Sequence, residues 1–280
     1  PDHGSMYGVI DFYKAACKHG VKPIIGCEVY VAPQSRLIKN AVEGESYYHL
    51  ILLAENNIGY QNLMKLVSKG YLEGFYYKPR IDKELLQQHA EGLICLSACI
   101  AGEIPALLLK GQKESAVAVA EQYLEIFGRD NFYLEIQDHG LAEQKKVNRL
   151  LVELSVQLGI SLVASNDVHY IRREDAESHD VLLCIQTGKT IDDETRMRFP
   201  NQEFYLKSVP EMQAVFREFP EALDNTVTIA ERCNVTFDFC QLHLPEFPVP
   251  DNLSAEQYLR QLCETYLPIR YPDRETIVVD

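Results

Sequence analysis

Asp167-Val168-His169 is the shortest stretch of this chain with the means to do chemistry. In extended backbone, residues i and i+2 point the same way, so this carboxylate and imidazole can grip one cation. Four further residues of metal-ligand type sit in short motifs: His3 in Asp2-His3-Gly4, Glu28 in Gly26-Cys27-Glu28, His49 after Tyr47-Tyr48, and Cys99 in Leu96-Ser97-Ala98-Cys99. Each has a plainer reading when taken alone. A glutamate in a strand is commonly a surface residue, and a histidine among tyrosines is commonly a hydrogen-bonded core residue. Glu135, Gln137, Asp138 and His139 follow one another and read either as pocket lining or as solvated turn residues. His179 reads as a helix-surface histidine. Arg172, Arg173, Arg196 and Arg198 read as surface ion-pair partners before phosphate contacts. No glycine-rich phosphate loop and no Gly-x-Ser-x-Gly elbow occurs.

The elements that must position these groups alternate between short apolar runs and helical periods. Strands are expected over 22–31, 48–54, 92–97, 132–137 and 160–164, where β-branched and aromatic residues concentrate. Helices are expected over 9–19, 57–69, 82–90, 116–127, 141–158, 174–185, 210–219 and 221–233. Asp82 is placed to cap its helix, and Gly128 and Gly159 to close theirs. This β–α rhythm predicts an α/β domain with a largely parallel sheet, open or closed into a barrel. In such folds functional groups gather where strands end. Glu28, Cys99, Asp167 and His169 fall late in or just after strands, and His3 precedes the first helix. His49 opens its strand instead, so it joins that rim only if the strand runs antiparallel to its neighbour. Three prolines within 244–250 predict an extended connector, and Ser254 with Gln257 a capping box at the head of another helix. The resulting domains are 1–245 and 246–280.

The chain has 280 residues, 27 Lys and Arg against 41 Asp and Glu, and a formal net charge of −14. That balance argues against holding nucleic acid through bulk positive charge, while leaving room for a local site where a metal supplies it. No apolar run approaches the roughly 20 residues that cross a bilayer. Eight cysteines are too dilute for a disulfide scaffold and suit buried thiols in a reducing cytoplasm. The opening Pro1-Asp2-His3-Gly4 lacks a Met and a signal-peptide pattern, which reads as the start of a fragment.

Several long segments, in order, carry a resemblance. DHGSMYGVIDFYKAACKHGVKPIIGCEVYVAP, YHLILLAENNIGYQNLMKLVSKGYLEGFYYKPRID, GLICLSACIAGEIP, FYLEIQDHGLAEQKKVN, ASNDVHY and NTVTIAERCNVTFDF together resemble the polymerase-and-histidinol-phosphatase (PHP) domain of bacterial DNA polymerase III alpha subunits. The resemblance spans about residues 2–260. It implies a distorted (β/α)7 TIM-like barrel, incomplete here at its N-terminus. It also implies a multinuclear site of nine ligands for divalent metal ions (Zn2+, Mn2+ or Mg2+). Six of the nine fall on this chain: His3, Glu28, His49, Cys99, Asp167 and His169. The family's His-x-His and following Asp are not among its residues.

The activity this resemblance implies is metal-assisted phosphodiester hydrolysis, a 3′–5′ proofreading exonuclease working through metal at Asp167 and His169, beside DNA-directed DNA synthesis located further along a longer chain. It implies DNA, a sliding clamp and a separate proofreading subunit as partners, no membrane, and a cytoplasmic location. Residues 246–280 would then be the connector and the start of the following polymerase region. Two alternatives stand beside it: a PHP domain that braces the polymerase without catalysis, and a free-standing PHP phosphatase. With three ligands absent, this chain alone is expected to be a weak or inactive enzyme.

Overall fold

The computed structural model describes residues 1–39, 47–241, 244, 247–250 and 252–272. Two compact units emerge, residues 1–236 and 237–280. The first unit runs β1 (Asp2–His3), α1 (Val9–Lys18), β2 (Gly26–Val31), β3 (Tyr48–Ala54), α2 (Asn57–Leu72), β4 (Arg80–Ile81), α3 (Lys83–Gln88), β5 (Leu93–Leu96), α4 (Glu103–Leu109) and α5 (Lys113–Phe127). It continues with β6 (Phe132–Ile136), α6 (Ala142–Leu158), β7 (Leu162–Ala164), α7 (Ala176–Thr187), α8 (Val209–Val215) and α9 (Pro220–Arg232). The second unit holds α10 (Ala255–Arg270), headed by the expected reciprocal bonds of Ser254 and Gln257.

Among the described residues, seven strands form one sheet in the order β1-β2-β3-β5-β6-β7, with β4 also paired to β2. Parallel pairing dominates, but β3 is antiparallel to both β2 and β5. That reversal is what brings His49, at the start of its strand, opposite Tyr30 near the end of β2. Residues paired directly across a sheet share a face. Register therefore puts His3, Glu28, Tyr30, His49, Ile51, Leu96, Tyr133, Glu135 and Val163 on one face. The lower part of that face is an apolar cluster in which Ile51, Leu53, Ile94, Leu96, Tyr133 and Val163 pack with Ile229 and Cys233 of the α9 region. Polar residues occupy the strand ends above it.

Local chemistry sets the boundaries. Asn56 and Asp82 accept hydrogen bonds from the backbone N–H of Gly59 and Leu85, each at 3.0 Å, and so start α2 and α3. Gly159, left-handed at φ 64°, ends α6. The strand expected from residue 22 begins only at Gly26, because Pro23 has no N–H to give to a ladder. Helix α4 escaped the sequence reading: it has seven residues, with Pro105 in its first turn, too short for a helical period to show. Helix α1 buries only Val9, and Phe12 is 53% exposed.

Candidate functional site

Glu28 is the centre of the upper rim. It is buried in β2, and its Oε1 lies 2.8 Å from Nδ1 of His3 and 2.8 Å from Nδ1 of His49. A carboxylate oxygen only accepts, so both imidazoles donate. Burial alone would raise the Glu28 carboxyl pKa. The hydrogen bonds from His3 and His49 outweigh it and bring it down to about 2. The same hydrogen bond raises the pKa of His3 against the opposing effect of its own burial. Cys99, just past β5, puts its Sγ 3.7 Å from His49 Nδ1. Burial, then the charge of Asp167, pushes its thiol up to about 12.

Asp167 and His169 follow β7. The segment is not the extended one the i, i+2 argument assumed: Asp167 sits at φ 47°, a left-handed conformation uncommon for a residue with a Cβ. The two side chains still lie together, with His169 Nδ1 3.9 Å from Asp167 Oδ1, because His169 Nδ1 donates to the Asp167 carbonyl at 2.9 Å. A buried network holds this bend. His139 Nε2 donates to the Asn166 carbonyl at 2.8 Å, and His139 Nδ1 accepts from Gln144 Nε2 at 2.8 Å. Asn166 in turn donates to the Tyr205 carbonyl and accepts from the buried Lys207. The His139 ring stacks on Phe204 at 4.0 Å.

All six residues singled out from the sequence thus meet on one rim. The ring of His3 is 6.4 Å from that of His49 and 5.8 Å from that of His169. Sequence reasoning missed what continues the row. His179, read as a surface residue, stands 5.7 Å from His169, since the first turns of α7 fold back over the β7 loop. Burial lowers its pKa, and His169 lowers it further. Glu135, Gln137 and His139 are buried rather than solvated. Glu135 Oε1 accepts from Ser165 and Gln137, while Glu135 Oε2 and Gln137 Oε1 have no hydrogen-bond partner among the described residues. Burial raises the Glu135 carboxyl to about 7, opposed by those hydrogen bonds and assisted by the charges of Asp167 and Glu28.

The donor chemistry suits a divalent cation. His3, His49 and His169 each commit the Nδ1 proton to an oxygen, which leaves the Nε2 lone pairs available, as in metal-ligating histidines. Carboxylates and a thiol complete the set. Among the described residues, however, no three His, Cys, Asp or Glu side chains already stand as a coordination shell. Glu28 is engaged by imidazoles, and Cys99 is protonated.

Residues 1–139 match the PHP domain family. That stretch is a PHP domain. It carries His3, Glu28, His49 and Cys99, while Asp167 and His169 lie beyond it. The whole chain is similar to DNA polymerase III alpha subunits: 52% identical to that of Treponema pallidum over 96% of this chain, 50% to that of Thermus aquaticus over 98%, and 47% to that of Borreliella burgdorferi over 100%. It spans 23–24% of the length of these relatives. Among the described residues no helix is long and apolar enough to cross a membrane.

Proposed function

We propose that this chain holds divalent metal through His3, Glu28, His49 and Cys99 of its PHP domain together with Asp167 and His169 beyond the matched stretch, and serves phosphodiester hydrolysis within a replicative DNA polymerase III alpha subunit. The observation that carries the reading is the shared Glu28 carboxylate, ionised and gripped by two imidazoles at 2.8 Å, with the other three groups on the same rim. When bound, a divalent ion supplies charge neutralisation for an attacked phosphodiester and polarises it. The chain's own groups do the rest. Glu28 orients His3 and His49, the His139 network fixes the Asp167 bend, and Glu135 keeps a proton-exchanging carboxyl beneath the site.

The finer architecture belongs to the same reading. His3 and His169 come from opposite ends of the strand order, yet their rings are 5.8 Å apart. A sheet curved that far supports a (β/α)7 barrel. The division into 1–245 and 246–280 rests on the proline-rich stretch at 244–250, and a cytoplasmic setting, with DNA, a sliding clamp and a separate proofreading subunit as partners, rests on the family resemblance. DNA synthesis and the 3′–5′ direction of hydrolysis rest there too.

The test is incubation of 5′-labelled single-stranded DNA with the chain and Mn2+ or Zn2+. Slow shortening from the 3′ end, abolished by chelator and by Asp167→Ala, is expected. Shortening that survives Asp167→Ala would refute the site. A second reading, a bracing domain without catalysis, is favoured by the lack of a preformed coordination shell among the described residues; metal binding with no hydrolysis would support it.

A further inference from the structure

The row of imidazoles ends at His179, and His179 is also one wall of a separate cavity of about 320 Å3. Tyr170, Arg196, Arg198, Phe199 and Asn201 form other walls. The partition between this cavity and the proposed metal site is thin. The Phe199 ring lies edge-on to His169 at 4.6 Å and to His179 at 4.8 Å, so one aromatic side chain touches both.

The charges of the cavity sort themselves by partner. Arg196 is bound by both oxygens of Asp180, at 2.5 and 2.7 Å, and its charge is spent there. Asn201 is a fixed wall: its Nδ2 donates to the His139 carbonyl and its Oδ1 accepts from the Glu203 N–H. Arg198 makes no hydrogen bond or ion pair with any described residue. Among the described residues its guanidinium is the cavity's arginine outside any hydrogen bond, although its charge helps to hold the Asp180 carboxyl pKa down after that of Arg196, on a chain with a net charge of −14. Glu177, the remaining carboxylate on the wall, limits the site to a small anion charge. Tyr170 and Phe199 add aromatic surface. A volume near the lower end of the usual ligand-pocket range suits one small molecule and not an oligomer. One planar guanidinium beside aromatic rings is the chemistry of a phosphate attached to a flat base.

We propose that this cavity seats the terminal nucleotide of the strand being hydrolysed, with Arg198 on its phosphate and Tyr170 and Phe199 flanking its base. The proposal rests on the phosphodiesterase reading, which it deepens by giving the substrate a nucleotide subsite next to His169.

The test is calorimetric titration of the 280-residue chain with deoxythymidine monophosphate, thymidine and orthophosphate, in chelator so that metal plays no part. The monophosphate should bind roughly tenfold tighter than thymidine or orthophosphate, since thymidine lacks the charge-assisted contact and orthophosphate lacks the base contact. Arg198→Ala should weaken the monophosphate roughly tenfold, Arg198→Lys less, and neither should change thymidine binding. Equal affinity for monophosphate in wild type and Arg198→Ala would overturn the proposal. So would equal affinity for monophosphate and orthophosphate, or no binding of the monophosphate at millimolar concentration. A separate titration with Mn2+ alone keeps the two readings apart. Arg198→Ala should bind Mn2+ as wild type does, and failure of Mn2+ to bind wild type would strike the metal site while leaving the nucleotide result standing.

Discussion

Replacing His139 by alanine should cost about 3 kcal/mol of stability, although His139 is none of the six proposed ligands. The ring is buried and makes two hydrogen bonds at 2.8 Å, to the Asn166 carbonyl and from Gln144 Nε2. Alanine leaves both partners unmatched in a site where Gln144 is also buried, at a cost of about 2 kcal/mol. Loss of the 4.0 Å stack on Phe204 adds about 1 kcal/mol. For a unit of this size that corresponds to a fall in Tm of roughly 6–12 °C. Burial lowers the His139 pKa in the folded protein. Its contribution is therefore intact above the unfolded histidine value and declines as pH falls below it. Urea melts of wild type and His139→Ala at neutral and mildly acidic pH measure both effects. The gap should be widest at neutral pH and narrow on acidification. A gap under about 0.5 kcal/mol at neutral pH would show that the bend at Asp167 is held by something other than this network.

Glu135→Gln should stabilise the protein by on the order of 2 kcal/mol at pH 8, with the gain vanishing near pH 5. The folded carboxyl titrates at about 7, above its unfolded value, so its stability is full below the unfolded pKa and lost as pH rises through 7; a pH-independent difference in urea melts would contradict this. Gly59→Ala should cost about 2 kcal/mol, because the added Cβ collides with the Gly92 carbonyl where α2 meets the start of β5; an unchanged denaturation midpoint would show that the helix can shift freely. Arg80→Ala should cost about 3 kcal/mol, since this buried guanidinium bonds the carbonyls of Ile38 and Gly74 and lies 4.9 Å from the Tyr76 ring. Thermal melts read that loss, and Arg80→Lys should recover only part of it.

The strands and helices that build the rim were legible because each carries its own signal. Tyr48–Ala54 is a continuous apolar run, and Asp82 and Gly159 mark helix ends by their chemistry. The direction of β3 was not legible from its residues, since parallel and antiparallel strands read alike; only the need to place His49 on the rim pointed to it. The six candidate ligands were visible as residue types at strand ends, yet their partners were not. His179 approaches His169 only because the loop after β7 turns back, and nothing in the helical pattern of α7 reports that turn. The left-handed backbone at Asp167 was equally hidden, because it is held through Asn166 by the distant side chains of His139 and Lys207 and the backbone carbonyl of Tyr205. Whether Glu135 faces solvent or core depends on the register of β6, which alternation alone leaves open.

The most direct measurement is equilibrium dialysis of wild type, Glu28→Ala and Asp167→Ala against Zn2+ and Mn2+, with bound metal counted by mass spectrometry. If the rim is a metal site, wild type should retain at least one ion per chain, and each variant should lose affinity by roughly tenfold or more. Metal capture should also release a proton from Cys99, whose thiol titrates at about 12 without it. Wild type that retains no ion, or variants that retain as much as wild type with the same affinity, would contradict the account.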